Sequence, residues 1–306
     1  MNFLSMKYFI ALAEEKSFTR AAEKLHITQQ TLSAHMANLE REVGIKLLIR
    51  HIPLELTDGG QVFYRYARIF QRNELSLLRE LSDVSGSECG VLRIGVAPSR
   101  GQVLLPPMIQ AFHKKYPHVT LVLSEMANGA IWNALKRDEI DLAMAHSLGV
   151  IPGIVQTLCE TEEIVLLISK NIWQRQMEKA GISYDESFVL TRLDSLPSFL
   201  SDCPFLINSE DDIAGALARK LFRQSDFEPH ILVQSEHMGT MLRLCSLGLG
   251  AYFCPKNLAE VMLTAEEKEK VCMISLEEGI YDISFGYQKS SHRWSMISNF
   301  ITCSRV

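Results

Sequence analysis

The 306-residue chain has no long apolar run. No stretch approaches the roughly 18 apolar residues of a membrane span, and Met1 to Lys7 shows no basic region followed by an apolar core. A cytoplasmic protein without a membrane partner is expected. Excess charge is also scarce: the formal net charge is -5, with 22% charged residues. Proteins that coat nucleic acid regardless of sequence carry a large basic surplus, so that class is excluded, whereas a small DNA-reading domain is not. Seven cysteines (Cys89, Cys159, Cys203, Cys245, Cys254, Cys272, Cys303) stand singly. None forms a Cys-x-x-Cys pair or has a His partner at metal-ligand spacing, so no metal site is expected and the thiols read as reduced and buried. There is no Gly-x-Ser-x-Gly elbow, no GxGxxG loop and no phosphate-cradling Gly-Lys-Ser/Thr sequence. Enzymatic readings therefore find no support, and no catalytic residue is expected.

What is present begins at the N-terminus. Leu4, Phe9, Leu12 and Ala13 fall near one stripe of a first helix that ends around Glu15-Lys16. Ser17 can cap a second helix, in which Ala21 and Ala22 permit close approach while Phe18, Leu25 and Ile27 supply core. Thr28 can cap a third, where Leu32, Met36 and Leu39 recur at i, i+4, i+7 and turn inward. Gln29, Gln30 and Ser33 then face outward, together with Ala34 and Ala37. A braced helix with an uncharged, hydrogen-bonding first turn is the arrangement that reads base edges in a major groove. Ile45 to Arg50 and His51 to Thr57, with a proline near the bend, predict a two-stranded wing.

From Gly59-Gly60 to about Val84 the pattern is helical, with Phe63, Phe70, Leu77 and Val84 at steps of seven and Tyr66, Leu78 and Leu81 alongside. Such a helix runs on the order of 37 Å, too long to bury its seam against so small a domain, so a second copy of the chain is expected to cover it. Ser85 to Gly90 reads as a hinge. Beyond it the rhythm is βαβ. Strands are expected at Val91–Ala97, Val119–Leu123 and Asp141–Ala145, with helices at Met108–Tyr116 and Ile131–Lys136. A second set follows, with strands at Ile164–Ile168, Phe205–Ile207, Ile231–Val233 and Gly250–Cys254 and helices at Ile213–Arg223 and Met238–Leu247. The tail, a strand at Ile280–Tyr287 and a helix at Trp294–Ile301, is placed to return to the first set. This predicts parallel sheets with helices on both faces.

Ser17-Phe-Thr-Arg-Ala-Ala-Glu-Lys-Leu-His-Ile-Thr-Gln-Gln-Thr-Leu-Ser33, followed by Leu39-Glu40, Glu42-Val-Gly44, Leu47-Leu48, Arg50 and Leu56-Thr-Asp-Gly59, resembles the N-terminal domain of LysR-type transcriptional regulators. Leu92-Arg-Ile-Gly-Val96, Asp141-Leu-Ala-Met144 and Leu247-Gly-Leu-Gly250 to Pro255 extend the likeness over the chain. The resemblance implies an α/β protein with an N-terminal all-α winged helix-turn-helix (1–58), a long dimerising linker helix (59–85) and a hinge (86–90). An effector domain (91–306) would follow, with two doubly wound α/β lobes like a periplasmic binding protein. Lobe I would comprise about 91–163 and 267–306, and lobe II about 164–266. It further implies a homotetramer that bends promoter DNA in response to a small metabolite, and it admits RNA polymerase as a partner.

Gln29 and Gln30 are the expected base readers, since a carboxamide pairs with adenine in the major groove at about 1–3 kcal/mol of discrimination per good contact. Ser33 can reach a base or a phosphate, and Thr28 lies where free backbone N–H groups favour a phosphate oxygen. Arg20, Lys46 and Arg50 are candidates for backbone phosphates. Ala34, His51 and Pro53 stand where relatives often carry basic residues, and seven basic side chains in 1–58 are balanced by seven acidic ones. Weak binding per domain is therefore expected, with linked sites supplying affinity. The effector cleft should lie at the carboxyl ends of the strands, at the turns Pro98–Gly101, Asn128-Gly129 and His146-Ser147. Ser99, Arg100, Asn128 and His146 are the candidates there. By resemblance, a crossing segment Pro204-Phe205-Leu206 and the neighbouring Asn208 face them. No cofactor is expected; the ligand class is a small organic anion. Two other readings remain: a solute-binding module of transport, opposed by the reader domain, and a thiol-based sensor on the same scaffold. For the latter Cys203 is the candidate, though no second cysteine lies within ten residues.

Overall fold

The structure, a computed structural model of the chain, describes residues 2–51, 53–86, 88–181, 192–193, 195–289 and 294–304; Ile52 of the expected wing and Ser87 of the expected hinge lie outside the described residues. The chain divides into two compact units, Met1–Ser87 and Glu88–Val306.

The N-terminal unit comprises α1 (Phe3–Glu15), α2 (Phe18–Lys24), α3 (Gln29–Val43), β1 (Leu48–Ile49), β2 (Glu55–Leu56) and α4 (Asp58–Ser85). Its helices start where side chains satisfy backbone donors that have no partner within the helix. Asn2 caps α1, Ser17 caps α2, Thr28 caps α3 and Thr57 caps α4. The corner between α2 and α3 is made by His26 in the left-handed region, φ 54°. Leu32, Met36 and Leu39 of α3 pack with Phe9, Leu12, Ala21 and Ala22 in one core, as the i, i+4, i+7 spacing predicts. The inward face of α1 differs from expectation. Leu4 is exposed, while Met6 and Ile10 turn inward onto Ala67 of α4. Phe63 is likewise not a free seam residue, because its ring meets Phe9 edge-on at 5.0 Å. Gly60 permits α4 to start against the wing, since a Cβ there would collide with the Leu47 carbonyl. β1 and β2 pair antiparallel, Leu48 opposite Leu56, and form the wing.

The second unit opens with β3 (Gly90–Val96), α5 (Pro98–Val103), α6 (Leu105–Lys115), β4 (Val119–Glu125), α7 (Asn128–Lys136), β5 (Leu142–His146) and β6 (Ile154–Ser169). It continues through α8 (Lys170–Lys179), β7 (Arg192–Leu193), a single 3-10 turn (Ser198–Leu200), β8 (Pro204–Ile207), α9 (Ile213–Gln224), β9 (His230–Gln234) and α10 (Met238–Ser246). β10 (Ala251–Pro255), α11 (Lys256–Met262), α12 (Ala265–Glu269), β11 (Val271–Gln288) and α13 (Ser295–Cys303) complete it. The strands form one sheet in the order β4-β3-β5-β11-β6-β10-β8-β9, with β7 beside β11. β3 pairs parallel with β4 and β5, and β8 parallel with β9 and β10.

Helices cover both faces at each end of this sheet, giving two doubly wound lobes. In lobe I, α6 and α13 pack on one side and α7 on the other. In lobe II, α8 and α9 pack on one side and α10 and α11 on the other. The tail does return to the first lobe, where β11 pairs with β5 and Phe300 of α13 meets Phe112 of α6 at 5.3 Å. The crossing between lobes is corrected. It is made by the two long antiparallel strands β6 and β11, whose register breaks between Ser275 and Ile280 and again between Ile283 and Ser284. The Pro204–Ile207 strand instead sits inside lobe II between β10 and β9.

Candidate functional site

The N-terminal unit presents the polar first turn of α3. Gln29 and Gln30 are exposed and Ser33 is half-buried on the same helix. The Gln29 carboxamide oxygen accepts from the Thr19 hydroxyl at 3.4 Å, so α2 steadies it. Thr28 is occupied as a cap, accepting the Thr31 N–H at 3.1 Å. Arg20 donates to the Glu15 carbonyl at 2.6 Å, closing the end of α1. Lys46 and Arg50 meet a residue that sequence reasoning gave no role, Glu40. Its buried carboxylate accepts the Leu47 and Leu48 N–H groups at 2.9 and 3.2 Å, Lys46 Nζ at 3.2 Å and Arg50 at 3.5 Å. The recognition helix is thereby tied to the wing. Burial alone would raise the Glu40 carboxyl, but these bonds outweigh it and hold it below its usual range. The available signal was its place one turn after Met36, on the inward stripe. Lys46 and Arg50 keep 77% and 45% of their side-chain surface exposed, so both remain within reach of a phosphate.

In the second unit a cavity of about 400 Å³ opens between the lobes at the carboxyl ends of β3, β4, β8 and β9. It collects Ser99, Arg100, Asn128 and Asn208 from the sequence candidates. Phe205 and His146 do not line it. Phe205 is fully buried in the lobe II core, edge-on to Phe222 at 4.8 Å, because alternate residues of β8 face opposite sides of the sheet. His146 lies behind the wall, its ring 5.6 Å from that of Tyr281 and its Nδ1 3.3 Å from the Asp282 carbonyl. Burial pushes this imidazole below its ordinary value.

Arg100 is held rather than free. It donates to both Glu162 oxygens at 2.9 and 2.8 Å, to the Asn128 carboxamide oxygen at 3.2 Å and to the Tyr281 hydroxyl at 3.2 Å. Burial would lower its pKa, but Glu162 more than reverses that. Tyr281 also donates to Glu162. Two positions back on the same face of β6, Glu160 is pushed up to about 7 by burial and by the Glu162 carboxylate, while Asn257 donates to it at 3.0 Å. The lobe II wall adds Asp211, Asp212, Glu236 and Tyr252, none anticipated from sequence. Asp212 caps α9, and burial raises its carboxyl despite N–H bonds from Gly215 and Ala214. Cys203 is fully buried with its thiol pushed up to about 11, which disfavours the thiolate that a redox sensor needs.

A winged helix-turn-helix followed in the chain by a two-lobed, cleft-bearing α/β unit defines a transcriptional regulator with an effector-binding domain. The model of the bacterial regulatory helix-turn-helix protein, lysR family, matches residues 3–61, and that of the LysR substrate binding domain matches residues 85–305. The chain belongs to the LysR family. The HTH-type transcriptional regulator YcgK of Bacillus subtilis (strain 168) is 31% identical over 260 residues, 83% of this chain and 80% of YcgK. BenM of Acinetobacter baylyi, also an HTH-type transcriptional regulator, is 28% identical over 268 residues, 86% of this chain and 83% of BenM. The crystal structure of the LysR family regulator CbnR matches with a TM-score of 0.64 at 22% identity, over 100% of this chain and 98% of CbnR, and supports the fold. CbnR has also been solved with its target DNA. No described helix is long and apolar enough to cross a membrane.

Proposed function

We propose that the protein is a cytoplasmic, promoter-binding homotetramer whose grip on DNA is set by a small organic effector bearing an anionic group, bound between the lobes. The observation that carries this reading is the cavity itself, lined from both lobes where parallel strands end. Residues 1–58 read DNA, with Gln29 and Gln30 on base edges and Ser33, Thr28, Arg20, Lys46 and Arg50 along the backbone. Residues 59–85 pair two copies, 86–90 form the hinge, and 91–306 sense the effector through Ser99, Arg100, Asn128 and Asn208. Lobe I takes in about 91–163 with the end of β11 and α13; lobe II takes in about 164–266 and also the start of β11, expected in lobe I, because Val271, Ile274 and Leu276 pack in the lobe II cores. RNA polymerase is the further partner through which bound protein acts. Support for pairing comes from α4, where Phe70, Leu77, Leu78, Leu81 and Val84 are all exposed.

The test is binding of the full chain to duplex from its own upstream control region against a scrambled duplex, with wild type and Phe70→Glu. Wild type is expected to prefer the upstream duplex, and Phe70→Glu to dissociate and lose tight binding. A dissociated variant that binds as well as wild type would overturn the linked-site reading.

A further inference from the structure

The two walls of the cleft differ in chemistry. Lobe I brings Ser99 and the first turn of the nine-residue α7, whose N-cap residue Ala127 supplies no side-chain acceptor. The unclaimed backbone donors and positive helix end favour an anionic group. Lobe II brings acceptors: Asp211, Asp212, Glu236 and Asn208. Asn208 is 6% exposed, and its carboxamide Oδ1 has no hydrogen-bond partner among the described residues. A buried acceptor left in that state costs free energy that an arriving N–H would recover. Arg100 offsets these carboxylates only in part: its charge lowers the Asp212 carboxyl, but burial still leaves that carboxyl raised, and Glu162 engages the guanidinium through two bonds.

We propose that the effector is a small zwitterion carrying a carboxylate and a protonated amine. The carboxylate faces Ser99 and the start of α7; the amine is taken by Asn208 and the carboxylates of Asp211, Asp212 and Glu236. This deepens the effector-cleft reading and rests on it. A cavity of about 400 Å³ accommodates a molecule of amino-acid size, and Met126, Met238 and Met262 at its lining can adapt to an apolar tail. The raised carboxyl of Asp212 fits a group whose burial a neighbouring cation would relieve. A ligand held at both ends spans the two lobes, which gives it a means to favour one lobe arrangement over another.

The test uses the full-length protein with ¹³C-labelled methionine methyls, read by NMR. β-Alanine, ethylammonium and propionate are titrated at matched ionic strength into wild type and an Asp211→Asn/Glu236→Gln double variant. β-Alanine is expected to shift Met126 and Met238 together, ethylammonium to shift Met238, and the double variant to weaken both responses about tenfold. A β-alanine response unchanged in the double variant would overturn the proposal. So would propionate shifting Met238 as strongly as β-alanine does; the cleft reading would then stand without the amine. Silence of all three methyls towards all three compounds would overturn both.

Discussion

Glu40 in the N-terminal unit and Glu162 in the effector unit are both buried carboxylates, and they are neutralised in opposite ways. Glu40 lies within ten positions of its partners, takes two backbone N–H bonds and shares its charge with the surface cations Lys46 and Arg50. Glu162 is fully enclosed, and its guanidinium partner lies 62 positions away and is itself only 4% exposed. The first is a local brace whose two cations remain in water. The second is an ion pair sealed in low dielectric, whose members were brought together by the whole sheet. Their energetics should differ accordingly, because a sealed charge that loses its partner has nowhere to turn.

The largest effect follows from that seal. Arg100→Met leaves Glu162 uncompensated and is expected to destabilise the effector unit by about 3–5 kcal/mol, read as a lower thermal unfolding transition. The double variant Arg100→Met/Glu162→Leu should recover most of the loss, since an apolar pair of similar volume removes the stranded charge. A double variant as unstable as Arg100→Met alone would mean that packing, not charge, dominates at this place, and the contrast with Glu40 would fail.

Glu40→Gln should cost less, about 1.5–3 kcal/mol, because both backbone N–H groups meet the one oxygen Oε1, which a carboxamide keeps, and the cations on Oε2 can turn to solvent. Glu40 is held below its usual range in the fold, so its contribution is present above the unfolded value near 4.5 and is lost as pH falls through the folded one. The substitution also frees Lys46 and Arg50 in a segment with no net charge. Nonspecific DNA binding should then tighten, with the salt dependence steepening by about one phosphate contact. Unchanged salt dependence in a folded Glu40→Gln protein would show that these cations already act independently of Glu40.

Local and distant partners also decide what could be read from the residues alone. Ser17 and Thr28 as caps, the Leu32, Met36 and Leu39 stripe and the outward Gln29 and Gln30 all lie within one short stretch, and periodicity reveals them. Met6 and Ile10 were missed because what buries them is Ala67, in a helix that starts more than 40 positions later. The crossing strands were only half seen. Ile164–Ile168 and Ile280–Tyr287 are apolar enough to register, but Ile154–Glu163 and Val271–Gly279 carry the acids Glu160, Glu162, Glu277 and Glu278 and read as loop. The same acids hid the cleft chemistry: Ser99, Arg100 and Asn128 follow strands and were legible as turns, whereas Glu162 and Tyr281 reach Arg100 only through β6 and β11. Phe205 was assigned to the cleft by resemblance, as part of a crossing segment, but the two-residue alternation of its strand points it into the core.

Glu160 offers the finest comparison, since it lies on the same strand face as Glu162 but is only half-buried and makes no ion pair among the described residues. Its carboxyl is raised to about 7 in the fold by burial and by Glu162, from an ordinary value near 4.5. A raised carboxyl stabilises while it is protonated. That contribution is fully present below pH 4.5 and is lost as pH rises through about 7. After discounting for its solvent exposure the effect should be about 1 kcal/mol, so the melting temperature of the effector unit should decline across that window. His146 works against it, because burial lowers its imidazole and costs stability as pH falls below its unfolded value near 6.5. Glu160→Gln, which keeps an acceptor for Asn257, should therefore turn the decline into a slight rise between pH 5 and about 7, while His146→Gln should steepen it. A melting profile identical in Glu160→Gln and wild type would mean that Glu160 does not set the pH dependence across this window and would leave Glu162 and Arg100 as a pair insulated from their nearest carboxyl.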